Sequence, residues 1–202
     1  AANKKMPDSS SKIVFMHYDV ISDELTAITK GSYFLNKFGT NFEEIVSQLG
    51  DYISCDSLRL PGGSTVILYP TGEMGVFSDK GKLVWTGDIY YNDAPCRDLA
   101  YDNGSVWCCV PARKAVAKYS LTLNKFTMRI GGDNNTSFSR PVSLFSDDEE
   151  IYICDSGNNS IRIINKNTFN VKDYMTFDEP VLKYFRIMDC RFVILESGIY
   201  KL

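Results

Sequence analysis

Histidine is almost missing from this chain of 202 residues: His17 stands alone. A zinc site built on several histidines is therefore excluded, and a histidine-based nucleophilic triad would have one possible base. No apolar run approaches the ~20 residues that a membrane-spanning helix needs. The longest, Val106-Trp107-Cys108-Cys109-Val110 and Phe192-Val193-Ile194-Leu195, are the size of strands. Ala1 to Ser11 hold no basic segment followed by an apolar one, so no signal peptide is visible. Positive charge is not in excess either. The 22 Lys and Arg against 25 Asp and Glu leave a net charge of −3, which excludes a general basic field for nucleic acid or anionic lipid. A G-x-x-x-x-G-K-[ST] loop is lacking, and Gly131-Gly132-Asp133 has no lysine to hold a phosphate. What is present is the composition of a folded protein, 44% hydrophobic and 23% charged, long enough for one domain or two small ones.

Six cysteines (Cys55, Cys96, Cys108, Cys109, Cys154, Cys190) show no C-x-x-C spacing. Cys108, Cys109 and Cys154 lie inside apolar strand-like runs, where a free thiol packs as a small hydrophobe. Reduced packing thiols are the expectation, and with them a reducing, cytoplasmic compartment. A start at Ala1 leaves room for a secreted protein whose signal has been removed.

The chain repeats itself. Cys55-Asp56-Ser57-Leu58 and Gly63-Ser64-Thr65-Val66 through Pro70 return 41 residues later as Cys96-Arg97-Asp98-Leu99 and Gly104-Ser105-Val106-Trp107 through Pro111. The same register links Leu25, Val66, Trp107, Tyr152 and Val193 at spacings of 41, 41, 45 and 41. Within a repeat, short apolar runs alternate with turn residues. The third repeat reads as strands over 97–101, 106–110, 116–121 and 126–130, with Asp102-Asn103-Gly104 as a tight reverse turn. Four short strands per 40 to 45 residues is the signature of a β-propeller blade. The predicted fold is all-β, a propeller of about five four-stranded blades over 13–49, 50–90, 91–135, 136–179 and 180–202. Residues 1–12 are expected as a tail or closing strand. The last blade is expected to be incomplete, or to be finished by the N-terminus or by a partner chain, which allows a homodimer. Residues 41–49 also fit a helix capped by Asn41; the repeat register favours a strand.

Phe138-Ser139-Arg140-Pro141-Val142-Ser143-Leu144, followed by Ile151-Tyr152-Ile153-Cys154-Asp155-Ser156-Gly157-Asn158 and a third run holding Arg162, resembles an NHL repeat. Glu196-Ser197-Gly198 keeps part of that pattern. The resemblance implies an NHL-like propeller, a family that mostly binds proteins, RNA or small ligands and includes some enzymes.

Asp155-Ser156-Gly157-Asn158 could offer oxygens to calcium, but the residue types better suit a turn in which Asp and Asn bond the backbone and Gly permits positive φ. Asp147-Asp148-Glu149-Glu150 aligns with hairpin turns and reads as a solvated turn, because neighbouring carboxylates splay rather than converge on a cation. Cys108-Cys109 face opposite ways on a strand and read as packing. Propeller geometry places one set of loops around the axis, and these carry Tyr69, Tyr90, Tyr91, Arg97, Arg113, Arg140, Asp155, Asn158 and Glu196 as candidate ligand-binding residues. Aromatic rings and Arg forks around a concave mouth suit a protein, peptide or glycan ligand. The expected function is therefore a non-catalytic binding scaffold, with no cofactor. The alternative is a lactonase-like hydrolase or lyase with a central divalent metal, Ca²⁺ among the options. Nucleic acid is disfavoured by the charge balance.

Overall fold

The repeat becomes a series of antiparallel meanders in which each strand pairs with the next along the chain. The computed structural model describes the backbone of 13–19, 24–29, 32–37 and 43–46, and backbone with side chains over 56–202 except 133 and 188. The proposed closing segment 1–12 and Cys55 lie outside the described residues. By its internal contacts the chain divides into Ala1–Asp88 and Ile89–Leu202.

The N-terminal unit holds two four-stranded sheets. Strands β1 (Ile13–Asp19), β2 (Glu24–Thr29), β3 (Ser32–Lys37) and β4 (Glu43–Val46) form the first, so 43–46 is strand, as the repeat register favours. His17 sits on β1 opposite Thr26. The second sheet comprises β5 (Asp56–Arg59), β6 (Thr65–Leu68), β7 (Glu73–Phe77) and β8 (Leu83–Asp88). All four residues of β6 are buried, as a continuous β-branched and aliphatic run with both faces covered requires.

The C-terminal unit opens with a two-stranded hairpin, β9 (Tyr90–Tyr91) and β10 (Ala94–Pro95). A four-stranded sheet follows: β11 (Leu99–Asp102), β12 (Ser105–Val110), β13 (Ala115–Ser120) and β14 (Lys125–Gly131). The next has β15 (Pro141–Ser146), β16 (Glu150–Asp155), β17 (Ser160–Asn165) and β18 (Val171–Thr176). The last, β19 (Val181–Ile187), β20 (Cys190–Leu195) and β21 (Gly198–Lys201), has three strands. Among the described residues the expected count of five four-stranded blades is thus corrected to four, because the stretch from Val181 to Lys201 accommodates three strands and their two turns.

The tight turn between β11 and β12 is made by Asn103 (φ 44°) and Gly104 (φ 76°), the left-handed pair that a two-residue hairpin needs. Side-chain alternation then assigns each strand's two faces to different cores. Trp107 and Cys109 of β12 join Ala100, Val116, Leu144, Ile151 and Ile153 in one cluster. Tyr152 and Cys154, the alternate residues of β16, join Ile161, Val181, Tyr184 and Val193 in another. Strand β16 is therefore packed on both faces within the C-terminal unit, which is why Ile151–Cys154 reads as an unbroken apolar run. The vicinal Cys108-Cys109 pair is split between faces by the same alternation.

Candidate functional site

In the C-terminal unit, each second strand runs into a sharp turn that is latched to the linker entering its sheet. The chemistry of the latch differs each time. After β16 the chain makes a single 3₁₀ turn, Ser156–Asn158. Asp155, with no solvent exposure, accepts the Arg140 amide at 2.6 Å, the Ser139 amide at 2.9 Å and the Asn158 side-chain amide at 2.8 Å. The Ser156 amide donates in return to the Arg140 carbonyl at 3.0 Å. A Cβ at Gly157 would come within 2.5 Å of Ser139 Oγ, so this close approach demands glycine. After β12 the matching 3₁₀ turn is Pro111–Arg113. Here Arg113 Nε donates to the Asn92 carbonyl at 2.9 Å, fastening the β9–β10 hairpin. At the β20–β21 turn, the Ser197 amide donates to Glu179 at 2.9 Å and the Ser197 hydroxyl to the other oxygen of that carboxylate.

A second polar cluster joins the three first strands. Asp98, just before β11 and buried, accepts Ser143 Oγ and the Leu144 amide, each at 2.7 Å, and pairs with Lys183 Nζ at 3.5 Å. Because β15 is paired on one side only, by β16, amides along its other edge need an acceptor, and Asp98 supplies one. Beside it, burial pushes the Cys154 thiol up, the Asp98 charge adding to the effect.

At the opposite ends of these strands the turns carry an ionic chain. Asp102 accepts Lys118 Nζ at 2.7 Å and Trp107 Nε1 at 3.0 Å, and pairs with Lys166 at 3.4 Å. Lys166 also donates to the Asp147 carbonyl at 2.6 Å. Asp147 folds its own turn, accepting the Glu149 and Glu150 amides at 3.1 and 2.8 Å, and its other oxygen meets Arg186 at 3.1 Å. The Asp147–Glu150 run is accordingly a turn built around Asp147. Arg186 lies 4.6 Å from the centre of the Tyr152 ring and donates to the hydroxyls of Tyr184 (2.8 Å) and Tyr152. Burial raises the Tyr152 and Tyr184 hydroxyls, keeping both as neutral donors and acceptors around the guanidinium.

The candidate residues divide by environment. Tyr69 belongs to the N-terminal unit and is buried, its amide bonded to the Glu73 carbonyl at 2.8 Å. In the C-terminal unit, Asp155, Asn158 and the backbone of Arg140 meet at one turn, and Arg113 meets the Tyr90–Tyr91 hairpin at another. Tyr91 rests edge-on against Phe126, with ring centres 5.3 Å apart. Tyr90, Arg97, Arg140, Asn158 and Glu196 have exposed side chains. Sequence reasoning overlooked Asp98, Asp102, Lys166, Glu179 and Arg186. The signal for Asp102 was its place in Asp102-Asn103-Gly104; the others pair with residues far along the chain and leave no local pattern.

No protein-family model matches the sequence, and no curated protein matches it. Solved structures do resemble it in fold. The WD40 β-propeller domain of Doa1 superposes with a TM-score of 0.67 at 11% identity, over 94% of this chain and 62% of that one. Streptogramin B lyase gives 0.63 at 15% identity over 98% of this chain and 70% of its own. A protein of unknown function from Bacteroides caccae gives 0.66 at 10% identity, covering 96% and 79%. The chain is an all-β protein of the β-propeller class, and it spans about 62% of the Doa1 domain's length.

Proposed function

We propose that this chain is a propeller binding scaffold, and that the latched-turn end of its C-terminal unit takes an extended acidic peptide or protein segment. One fold carries both a WD40 domain and a lyase, so the choice rests on the chemistry of the site. The observation that carries the reading is how the polar groups are used. Asp155 and Asp98, the buried carboxylates described in this unit, already receive backbone amides together with Asn158, Ser143 or Lys183. A hydrolase or lyase built around a divalent cation would need carboxylate oxygens open to the ion. Arg97 and Arg140 are exposed and stand just before the first strands β11 and β15, and the Tyr90–Tyr91 hairpin likewise leads into β11. Arginine beside tyrosine suits carboxylate-bearing partners, with planar forks for the charge and rings for the apolar contact.

The test is fluorescence anisotropy of labelled peptide libraries, one rich in Asp and Glu and one rich in Lys and Arg, on the purified full chain. The acidic library is expected to bind, and the double variant Arg97→Glu/Arg140→Glu to weaken it at least about tenfold with the melting temperature unchanged. Equal binding of both libraries, or no effect of the double variant, would sink the reading.

A further inference from the structure

Cys96 and Cys108 bring their sulfurs to 2.8 Å, with both side chains fully buried. A disulfide bond measures about 2.05 Å, so the atoms stand less than about 1 Å from bonding distance. The approach is built into the backbone. Arg97 donates its amide to the Cys109 carbonyl at 3.0 Å while the Cys109 amide donates to the Asp98 backbone carbonyl at 3.3 Å. Two residues thus face one, and the resulting bulge bends the chain so that Cys96 returns over the face of β12 that carries Cys108. Cys109 points the other way, into the cluster with Trp107. The Cys96 amide also donates to the Ile89 carbonyl at 3.2 Å, which places this cysteine at the root of the β9–β10 hairpin.

We propose that Cys96 and Cys108 are a disulfide-forming pair, joined when the chain folds in the presence of a low-molecular-weight disulfide such as oxidised glutathione. One cysteine thiolate attacks oxidised glutathione, forming a mixed disulfide and expelling one glutathione thiolate. The second cysteine thiolate attacks the protein sulfur of that mixed disulfide and expels the other. The two cysteines lose two electrons, the glutathione disulfide gains them, and the two thiol protons end on the released glutathione. Burial pushes the native Cys96 thiol far up, and the neighbouring Cys108 adds to the shift, so in the folded chain it is a poor nucleophile. Bond formation therefore belongs to folding, before the sheet closes over the pair, and the finished bond is shielded from reductants. It staples the hairpin that carries Tyr90 and Tyr91 to the central strand β12. This stands independently of the peptide-binding reading.

The experiment is to refold the full chain in a glutathione redox buffer, alkylate the remaining thiols under denaturing conditions, and digest with trypsin without reduction. Cleavage after Lys82, Arg97 and Arg113 puts Cys96 in the peptide 83–97 and Cys108 in 98–113. The expected result is a linked pair of these peptides that separates on reduction, persists in Cys109→Ser and disappears in Cys108→Ser. Fragmentation of the wild-type pair between residues 108 and 109 decides the same point should Cys108→Ser fail to fold. The oxidised chain is expected to melt roughly 5–10 °C above the reduced one. Recovery of 83–97 as a single alkylated peptide, or a link to Cys109, overturns the proposal.

Discussion

At Asp155 three donors converge on one carboxylate that solvent does not reach, two of them backbone amides of the incoming linker. Replacing it by alanine would leave the Ser139 and Arg140 amides without their acceptor in a tight turn that water enters poorly. Asp155→Ala is therefore expected to cost about 2–4 kcal/mol in urea unfolding. Arg140 enters the same latch through its backbone alone, and its side chain is exposed. Arg140→Ala should accordingly change stability by less than about 0.5 kcal/mol while weakening acidic-peptide binding. A comparable loss of stability in both variants would show that the Arg140 side chain supports the turn, and would remove it from the binding surface.

Between elements, Asp102 ties the β11–β12 turn to Lys118 on β13 and to Lys166, which follows β17 in the neighbouring sheet. Burial alone would raise its carboxyl, but hydrogen bonds from Lys118 and Trp107 and the Lys166 charge outweigh that and hold it below its ordinary 3.8. A carboxyl depressed on folding stabilises the folded state above its unfolded pKa, and that contribution fades as pH falls below about 4. Asp102→Asn should thus lower stability at pH 7 by about 1.5–3 kcal/mol. It should also flatten the acid limb of a melting-temperature profile between pH 5 and about 2.5. A parallel downward shift with the acid limb intact would assign the pH dependence to other carboxylates. This tie shows where reading the sequence stops. The strands were legible because alternation and the 41-residue return are local, and the boundaries over 97–130 shift by only a residue or two. The helix-or-strand ambiguity at 41–49 yielded to register for the same reason. The β9–β10 hairpin was missed, although Asn92 and Asp93, both at positive φ, are its turn signal. The last sheet's strands were legible, but the blade count was not, because a period fixes spacing and leaves the number of complete sheets to pairing. Of the candidate site, Asp155 and Asn158 were legible as a turn motif. Asp98 with Lys183, 85 residues apart, has no local trace, since only strand packing brings them together.

For the C-terminal unit as a whole, the two hydrophobic clusters decide how it comes apart. Ile151 and Ile153 of β16 share one cluster with Trp107, Cys109 and Val116, while Tyr152 and Cys154 share the other with Val181, Tyr184 and Val193. Neither core belongs to one sheet, so no sheet can open without exposing apolar surface of its neighbour. Repeat architectures of this kind gain stability from nearest-neighbour interfaces. Ile153→Val trims one buried methylene at such an interface, at a cost of about 1 kcal/mol. Native-state hydrogen exchange should then accelerate about fivefold at the slowest amides of β16, and by the same factor at those of β12 and β13, which carry no substitution. Acceleration confined to β15–β18 would mean that the sheets open one at a time, and that the shared cores hold the sheets in contact without coupling their unfolding.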